Sequence, residues 1–431
     1  MKQPTVSHTK PTPVTTTTKA RVNTSAWWPW GALCLAAVAA APTAVLAQPA
    51  PTGYVSVLLD HLPNREATEL RARAFVEQQV EAGSHVRLTA SGFVEGLLAD
   101  RGGQITDAIA EPHDLNATFR ATRFSLTAGL GRVVWGRLDE LQPTDVINPI
   151  DVSRFFFEGR SEARLAVPLV HATFYAGDKG SVEGIYVPFF RRGRFDRLAE
   201  GSSPFNLAPR GVPFADLTPQ RDAGHAQGGA RLNITSGRVD WSVSAYRGIR
   251  PFGVFSAVAA PPGLARTYPR FTMIGGDLET VAGPWVVRGE VAVFPRDVFQ
   301  ALARPLAIPG RSFDAGAALD RKAGDYRVSG QVVVHREAHD QGPDRMALAR
   351  TDVSLIVSAD RSFARQKYEG RVFGVYNPNN GSGFARGIAT VSLRDNLRLE
   401  GSLGWFAGAG PDTISRFADS DFVYLRLKYF F

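Results

Sequence analysis

The last eleven residues constrain this chain most. They read Asp421-Phe422-Val423-Tyr424-Leu425-Arg426-Leu427-Lys428-Tyr429-Phe430-Phe431. Successive side chains of a strand point to opposite sides. Counted back from Phe431 by twos, one side is therefore Tyr429, Leu427, Leu425 and Val423, unbroken and apolar. Arg426 and Lys428 stand on the other side. A cation facing hydrocarbon near a bilayer midplane costs about 2–4 kcal/mol, so the cationic side must meet water. Such a strand separates an apolar medium from a polar one.

The same alternation recurs along the chain. In 285–293, Trp285, Val287, Gly289, Val291 and Val293 oppose Arg288 and Glu290. In 326–335, Tyr326, Val328, Gly330, Val332 and Val334 oppose Arg327, Ser329, Gln331 and His335. Near residue 400, Leu397, Leu399, Gly401, Leu403 and Trp405 oppose Arg398, Glu400 and Ser402. Comparable segments lie at 54–60, 69–80, 85–98, 114–121, 124–137, 164–175, 181–189, 227–235, 238–247, 270–280, 312–321, 351–359, 367–376, 384–394 and 421–431. Eighteen candidate strands result, or 16 if ambiguous edges merge. No run of 18 or more apolar residues follows Gln48, so no spanning helix is expected there.

Link lengths test the count. Short links (81–84, 177–180, 236–237, 282–283, 322–324, 395–396) alternate with long ones (99–113, 138–163, 190–226, 248–269, 295–311, 336–350, 406–420). Counted backward from the C-terminal strand, every long link falls on one side. The 81–84 turn then requires one more strand before residue 69, and 54–60 supplies it, unless that segment is an arm. Parity favours 18. The alternative is an exported soluble all-β protein with half-buried strands. Against it, the C-terminus resembles the assembly signal of Gram-negative outer-membrane barrels, a terminal aromatic with apolar residues at alternate positions. That resemblance implies an all-β transmembrane antiparallel β-barrel in the outer membrane, delivered to the barrel-assembly machinery by Phe431, Tyr429, Leu427 and Leu425, with outer-membrane lipid around it.

The net charge of +8 does not point to nucleic acid. Lys2, Lys10, Lys19 and Arg21 precede residue 48 without any acid, leaving 45 basic against 41 acidic groups. The basic start, the uncharged Gly31–Ala47 stretch, and Val45 and Ala47 before Gln48 read as a cleavable signal peptide over 1–47. An uncleaved anchor over Trp27–Ala47 is the weaker reading, given Pro42. The single cysteine, Cys34, falls in the leader, so the barrel over 48–431 carries none.

Gly131-Arg132-Val133-Val134-Trp135-Gly136 and, further on, Asp145-Val146-Ile147-Asn148-Pro149-Ile150-Asp151 resemble a porin-like outer-membrane family, filed as a domain of unknown function, with a strand G-R-x-x-W-G and a loop D-V-x-N-P-x-D. Val167-Pro168-Leu169 and Glu183–Phe190 fit as well, so the likeness covers residues 68–200. It implies a barrel channel or transporter without a defined substrate. In the residues themselves, Asn148-Pro149 favours a turn, and Asp145 and Asp151 suit bonds to neighbouring backbone amides. The 138–163 link either packs on the rim or folds into the mouth, and Phe155-Phe156-Phe157 suits an anchor in the outer leaflet.

Inward candidates for a polar lumen are Arg288, Glu290, Arg327, His335, Glu369, Arg371, Arg398, Glu400, Arg426 and Lys428. Cations are mostly arginine, which pairs bidentately with anions; the interspersed glutamates pair with them across strands instead. His335 and His339 lack metal-site convergence on a strand, and no G-x-S-x-G or His-Glu-x-x-His occurs. His171 with Ser181 or Asp178 is the nearest approach to a hydrolytic set. The expectation is a porin with no cofactor, metal, enzyme activity or nucleic-acid partner, whose solute and oligomeric interface are not specified. The alternatives are a barrel exporting or importing larger or hydrophobic cargo with periplasmic partners, and a barrel-anchored surface enzyme or adhesin.

Overall fold

The computed structural model describes residues 50–209, 211–258, 263–301, 306–339 and 351–431. The expected leader over 1–47, with Cys34, Val45 and Ala47, lies outside the described residues. Eighteen strands form one sheet. They are β1 Thr52–Leu62, β2 Ala67–Ala82, β3 Val86–Asp100, β4 Gln104–Ala121, β5 Phe124–Gly131, β6 Val167–Tyr175, β7 Gly180–Val187, β8 Gln227–Ser236 and β9 Val239–Ile249. Then follow β10 Arg270–Ala282, β11 Trp285–Gln300, β12 Ala307–Ala323, β13 Tyr326–His339, β14 Thr351–Phe363, β15 Tyr368–Asn377, β16 Ser382–Arg394, β17 Leu397–Ala407 and β18 Phe422–Phe430. Each sought segment has its strand.

Neighbours in sequence pair antiparallel, and β1 pairs with both β2 and β18, with Leu58 opposite Arg426. The sheet is therefore a closed barrel without free edges. Residues 54–60 are wall and not an arm, and the count is 18 rather than 17 or 16. The wall forms here because β1 repeats the period of β18: Val55, Val57 and Leu59 are exposed outward beside Leu427, Leu425 and Tyr429. Charged side chains take the other face, where Arg71, Glu95, Glu290 and Arg426 are buried.

Several boundaries differ from the sequence reading. The 99–113 link shrinks to a turn at 101–103 because β4 begins at Gln104. Strands β11 and β12 run to Gln300 and from Ala307, so the 295–311 link shortens too. Conversely, β5 stops at Gly131 although alternation continues to Arg137. Past Gly131 the chain leaves the wall, and Gly136, at a φ of 132°, lies on the departing stretch. The long connections crowd one rim. There Phe214–Asp216, Gly263–Thr267 and Val254–Val258 form a small three-stranded sheet.

Candidate functional site

Residues 132–166, between β5 and β6, fold inward and cross the lumen. At Gly136, whose φ of 132° favours glycine, a Cβ would lie 3.0 Å from Glu290 Oε1, so any side chain there would crowd this close approach. Glu290, on β11, accepts from the amides of Arg137, Leu138 (2.6 Å) and Thr144 (3.3 Å) and from Thr144 Oγ1 (3.0 Å). One carboxylate thus satisfies several backbone donors that a buried loop would otherwise orphan. Trp135 is buried edge-on to Tyr246. Leu138 packs against Ala318 and Val333. Gln331 donates to the Leu141 carbonyl at 2.8 Å, and Arg371 reaches Glu140 at 2.9 Å. The first half of the loop therefore spans from β5 to β15.

The neck is closed by Asn148. Its Nδ2 donates to the carbonyls of Gly131 (3.2 Å) and Leu165 (2.8 Å), while its Oδ1 accepts from Val133 N (2.8 Å). Asp145 does not bond backbone amides through its carboxylate as expected; Arg160 (3.2 Å) and Arg164 (2.7 Å) take it. Asp151 does, capping helix α1 (Val152–Glu158) through Arg154 N at 3.2 Å. It also accepts from Arg197 Nε at 3.1 Å.

Helix α1 carries the aromatic triplet, which is no leaflet anchor. Phe156 and Phe157 are buried inside the barrel with Phe205, Phe384, Phe406, Phe417, Phe422 and Tyr424. Edge-to-face contacts dominate, with Phe156–Phe406 and Phe157–Phe422 centroids both 4.9 Å apart. Inward aromatics on β16 to β18 thus receive the loop, which is why it does not rest on the rim. The Phe157 carbonyl, at the negative helix end, accepts from Arg386 (2.8 Å), Arg426 (3.0 Å) and Tyr424 Oη (3.2 Å). Glu158 receives both Nη atoms of Arg73 at 3.0 Å, Arg154 at 2.9 Å and Arg426 at 3.7 Å. Burial alone would raise this carboxyl, but Arg73 and Arg426 outweigh it and hold it at about 2.

A second connection, 188–226, docks on the first. Asp196 pairs with Arg71 at 2.7 Å and Arg197 with Asp151 at 3.1 Å. Despite burial, Arg71 and Arg101 hold the Asp196 carboxyl below its ordinary value. Beside α1 a cavity of about 250 Å³ stays open against the wall. Arg371, Arg386, Arg426 and Lys428 line it together with Glu140, Glu158, Glu162 and Glu400. Cations and carboxylates are equal in number around it.

Of the residues singled out in the sequence, Arg288 and Arg327 reach Asp139 of the loop at 3.2 and 3.9 Å. Together with Glu290 and Arg371 they meet its first half. Glu400, Arg426 and Lys428 line the cavity beside its second half. Arg398 lies apart, over the Phe430 ring at 5.3 Å. Glu369 sits near the start of β15, opposite Ser362 and Thr390. His335 bonds Asp314 (2.5 Å) and Glu337 (3.1 Å), and His339 reaches the same Glu337 (3.0 Å). Glu337, which stands between them on the same face of the strand, thus links the two imidazoles. Among the described residues no group of three His, Cys, Asp or Glu is arranged to hold a metal. His171 bonds Glu183 at 3.1 Å and neither Ser181 nor Asp178. Arg132 pairs with Asp114 at 2.7 Å, and the Pro149 carbonyl accepts from Leu165 N at 2.7 Å. Sequence reading missed Arg73, Glu95, Arg154, Glu158 and Arg386. The alternation rule applied to 69–80, 85–98 and 384–394 places Arg73, Glu95 and Arg386 inward, whereas Arg154 and Glu158 sit on a helix it cannot reach.

No protein-family model and no curated protein matches the chain, so the family likeness over residues 68–200 rests on the sequence motifs alone. Solved structures are similar in fold. Pseudomonas aeruginosa OccK5 (OpdH) superposes with a TM-score of 0.52 at 10% identity, over 88% of this chain and 97% of that one. Acinetobacter baumannii OccAB1 does so with 0.51 at 8% identity, over 88% and 94%. At these identities the likeness concerns the fold alone.

Proposed function

We propose that this chain is a channel of the Gram-negative outer membrane through which small solutes diffuse, narrowed by the inserted 132–166 loop. The observation that carries this reading is the closed 18-stranded wall, apolar outside and charged inside, with an open charged cavity beside helix α1. Barrels of this size leave an aqueous lumen unless loops fill it. The solute path runs between α1 and strands β15 to β18, since the 188–226 connection occupies the side toward β2 to β4. Four cations facing four carboxylates favour weak discrimination between small anions and cations. Residues 1–47 direct export, and Phe431, Tyr429, Leu427 and Leu425 present the last strand to the assembly machinery. The test is planar-bilayer recording with the folded mature protein. Discrete conductance steps are expected; a folded, membrane-inserted barrel that gives none refutes an open channel.

A further inference from the structure

The outer face of the barrel is not uniform at the loop-side rim. Arg247 on β9, Arg296 on β11, Arg311 on β12 and Arg336 on β13 are exposed. They share the outward face with Val243, Val293, Phe313 and Val332. Their ranks nearly coincide across the strands. Arg247 and Arg296 both stand opposite Thr272, and Arg336 opposite Phe313. The register shift between Phe294 and Asp297 sets Arg296 beside Arg311. This bulge turns Arg296 outward while Asp297 is buried. None of the four side chains has an ion pair or hydrogen bond among the described residues. At the same rim, the outward ends of β14, β15, β17 and β1 carry Thr351, Tyr376, Trp405 and His61. The cationic row belongs to one sector.

Its height matches a membrane interface. From Tyr326, outward at the other end of β13, to Arg336 is ten residues, about 33 Å along the strand. At a tilt of about 40° that is roughly 25 Å of height, the height of a barrel's apolar band. Directly below the row, on β10 to β13, lies an outward groove of about 440 Å³. Gly276, Gly289, Ala315 and Ala317 form its floor, and Leu278 and Val332 its sides.

We propose that this sector binds a phosphorylated, acylated lipid of the loop-side leaflet, with phosphate on the arginine row and an acyl chain in the groove. Adjacent like charges repel across strands, so four unpaired guanidiniums in one row call for a counter-anion. Guanidinium matches phosphate bidentately. The groove beneath selects an anion attached to hydrocarbon over a free one. The inference rests on the barrel spanning a bilayer and is independent of what crosses its lumen.

The test uses full-length folded protein in a zwitterionic detergent, with binding read by native mass spectrometry. The probes are bis-phosphorylated lipid A, the same lipid stripped of both phosphates, and inorganic phosphate. Wild type should retain the phosphorylated lipid about a hundredfold more tightly than the stripped one. The triple variant Arg296→Gln, Arg311→Gln, Arg336→Gln should lose most of that preference. Ala317→Trp, which fills the groove with every arginine kept, should weaken the same lipid. Heat-modifiable migration and bilayer conductance, which report folding and the lumen, should stay as in wild type. Equal retention of the two lipids by wild type overturns the proposal without any variant. So does displacement of the lipid by millimolar inorganic phosphate, which would make this a free-anion site.

Discussion

Replacing Glu158 by Gln tests whether electrostatics hold the loop across the lumen. Its carboxylate is 10% exposed and takes two bonds from Arg73, one from Arg154 and a longer contact from Arg426. Relative to an ordinary 4.5, a folded value of about 2 corresponds to about 3 kcal/mol of differential stabilisation. Breaking a buried pair from one side costs about 3–5 kcal/mol, so the two routes agree. The sign follows from the depressed value. The contribution is complete above about 4.5 and is lost as pH falls from there toward 2. Hydrogen exchange of the amides in 152–158 reports opening of this helix. In E158Q at pH 7 those amides should exchange about a hundredfold faster, with the strand amides of β13 unchanged. In wild type, after correction for the chemical rate, protection should fall only below about pH 4.5. Exchange within about threefold of wild type in E158Q would show that the aromatic cluster, and not Glu158, keeps the loop in place.

Phe156→Ala removes the ring that touches Phe205, Phe384, Phe406 and Phe417, and should weaken loop docking by about 3–5 kcal/mol. Single-channel conductance should then rise and become noisier; an unchanged trace would place the constriction elsewhere. Arg371→Glu, at a half-exposed position across from Glu140, should raise the cation-to-anion permeability ratio about twofold in a salt-gradient reversal-potential measurement. No shift would remove Arg371 from the path. Gly136→Val forces a side chain against Glu290 and Gln142 at a positive φ, costing about 1–3 kcal/mol. It should accelerate exchange at Leu138 and Thr144 before it affects the wall. Tyr429→Asp with Phe431→Ala should abolish the heat-modifiable form on unboiled gels, and a normal yield of folded barrel would contradict the assembly reading.

The wall was legible because a membrane barrel writes its geometry at period two, and charge opposite Val, Leu and Trp marks the inner face. Parity even recovered β1, a short segment with one charge. The interior was harder. The folding-in of 132–166 depends on Phe384, Phe406, Phe422 and Tyr424 standing on inward positions of distant strands, and nothing near Phe155-Phe156-Phe157 announces them. Asp145 and Asp151 looked alike as turn formers, yet one meets two guanidiniums and the other caps a helix, a difference set by Arg160 and Arg164 returning along the loop. The end of β5 was misjudged for a related reason. Val133 and Trp135 keep the alternation, but the chain leaves the wall after Gly131, and Trp135 packs on Tyr246 inside the barrel.

Beyond the ladder that pairs β1 with β18, two further main-chain bonds close the seam, Gly53 N to Phe431 O at 3.0 Å and Phe431 N to Gly53 O at 3.1 Å. Energetically the wall is a ring, and where the gene cuts that ring is arbitrary. Joining Phe431 to Thr52 by a short linker and reopening the chain at Gly237 would preserve every strand pair except the covalent turn itself. The permuted chain would instead end on Ile234-Thr235-Ser236, without a terminal aromatic. Refolded in detergent it should match the original barrel, while in cells it should fail to reach the membrane. Intact refolding with lost delivery would tie assembly to a terminal aromatic, and delivery of the permuted barrel to the membrane would refute that reading.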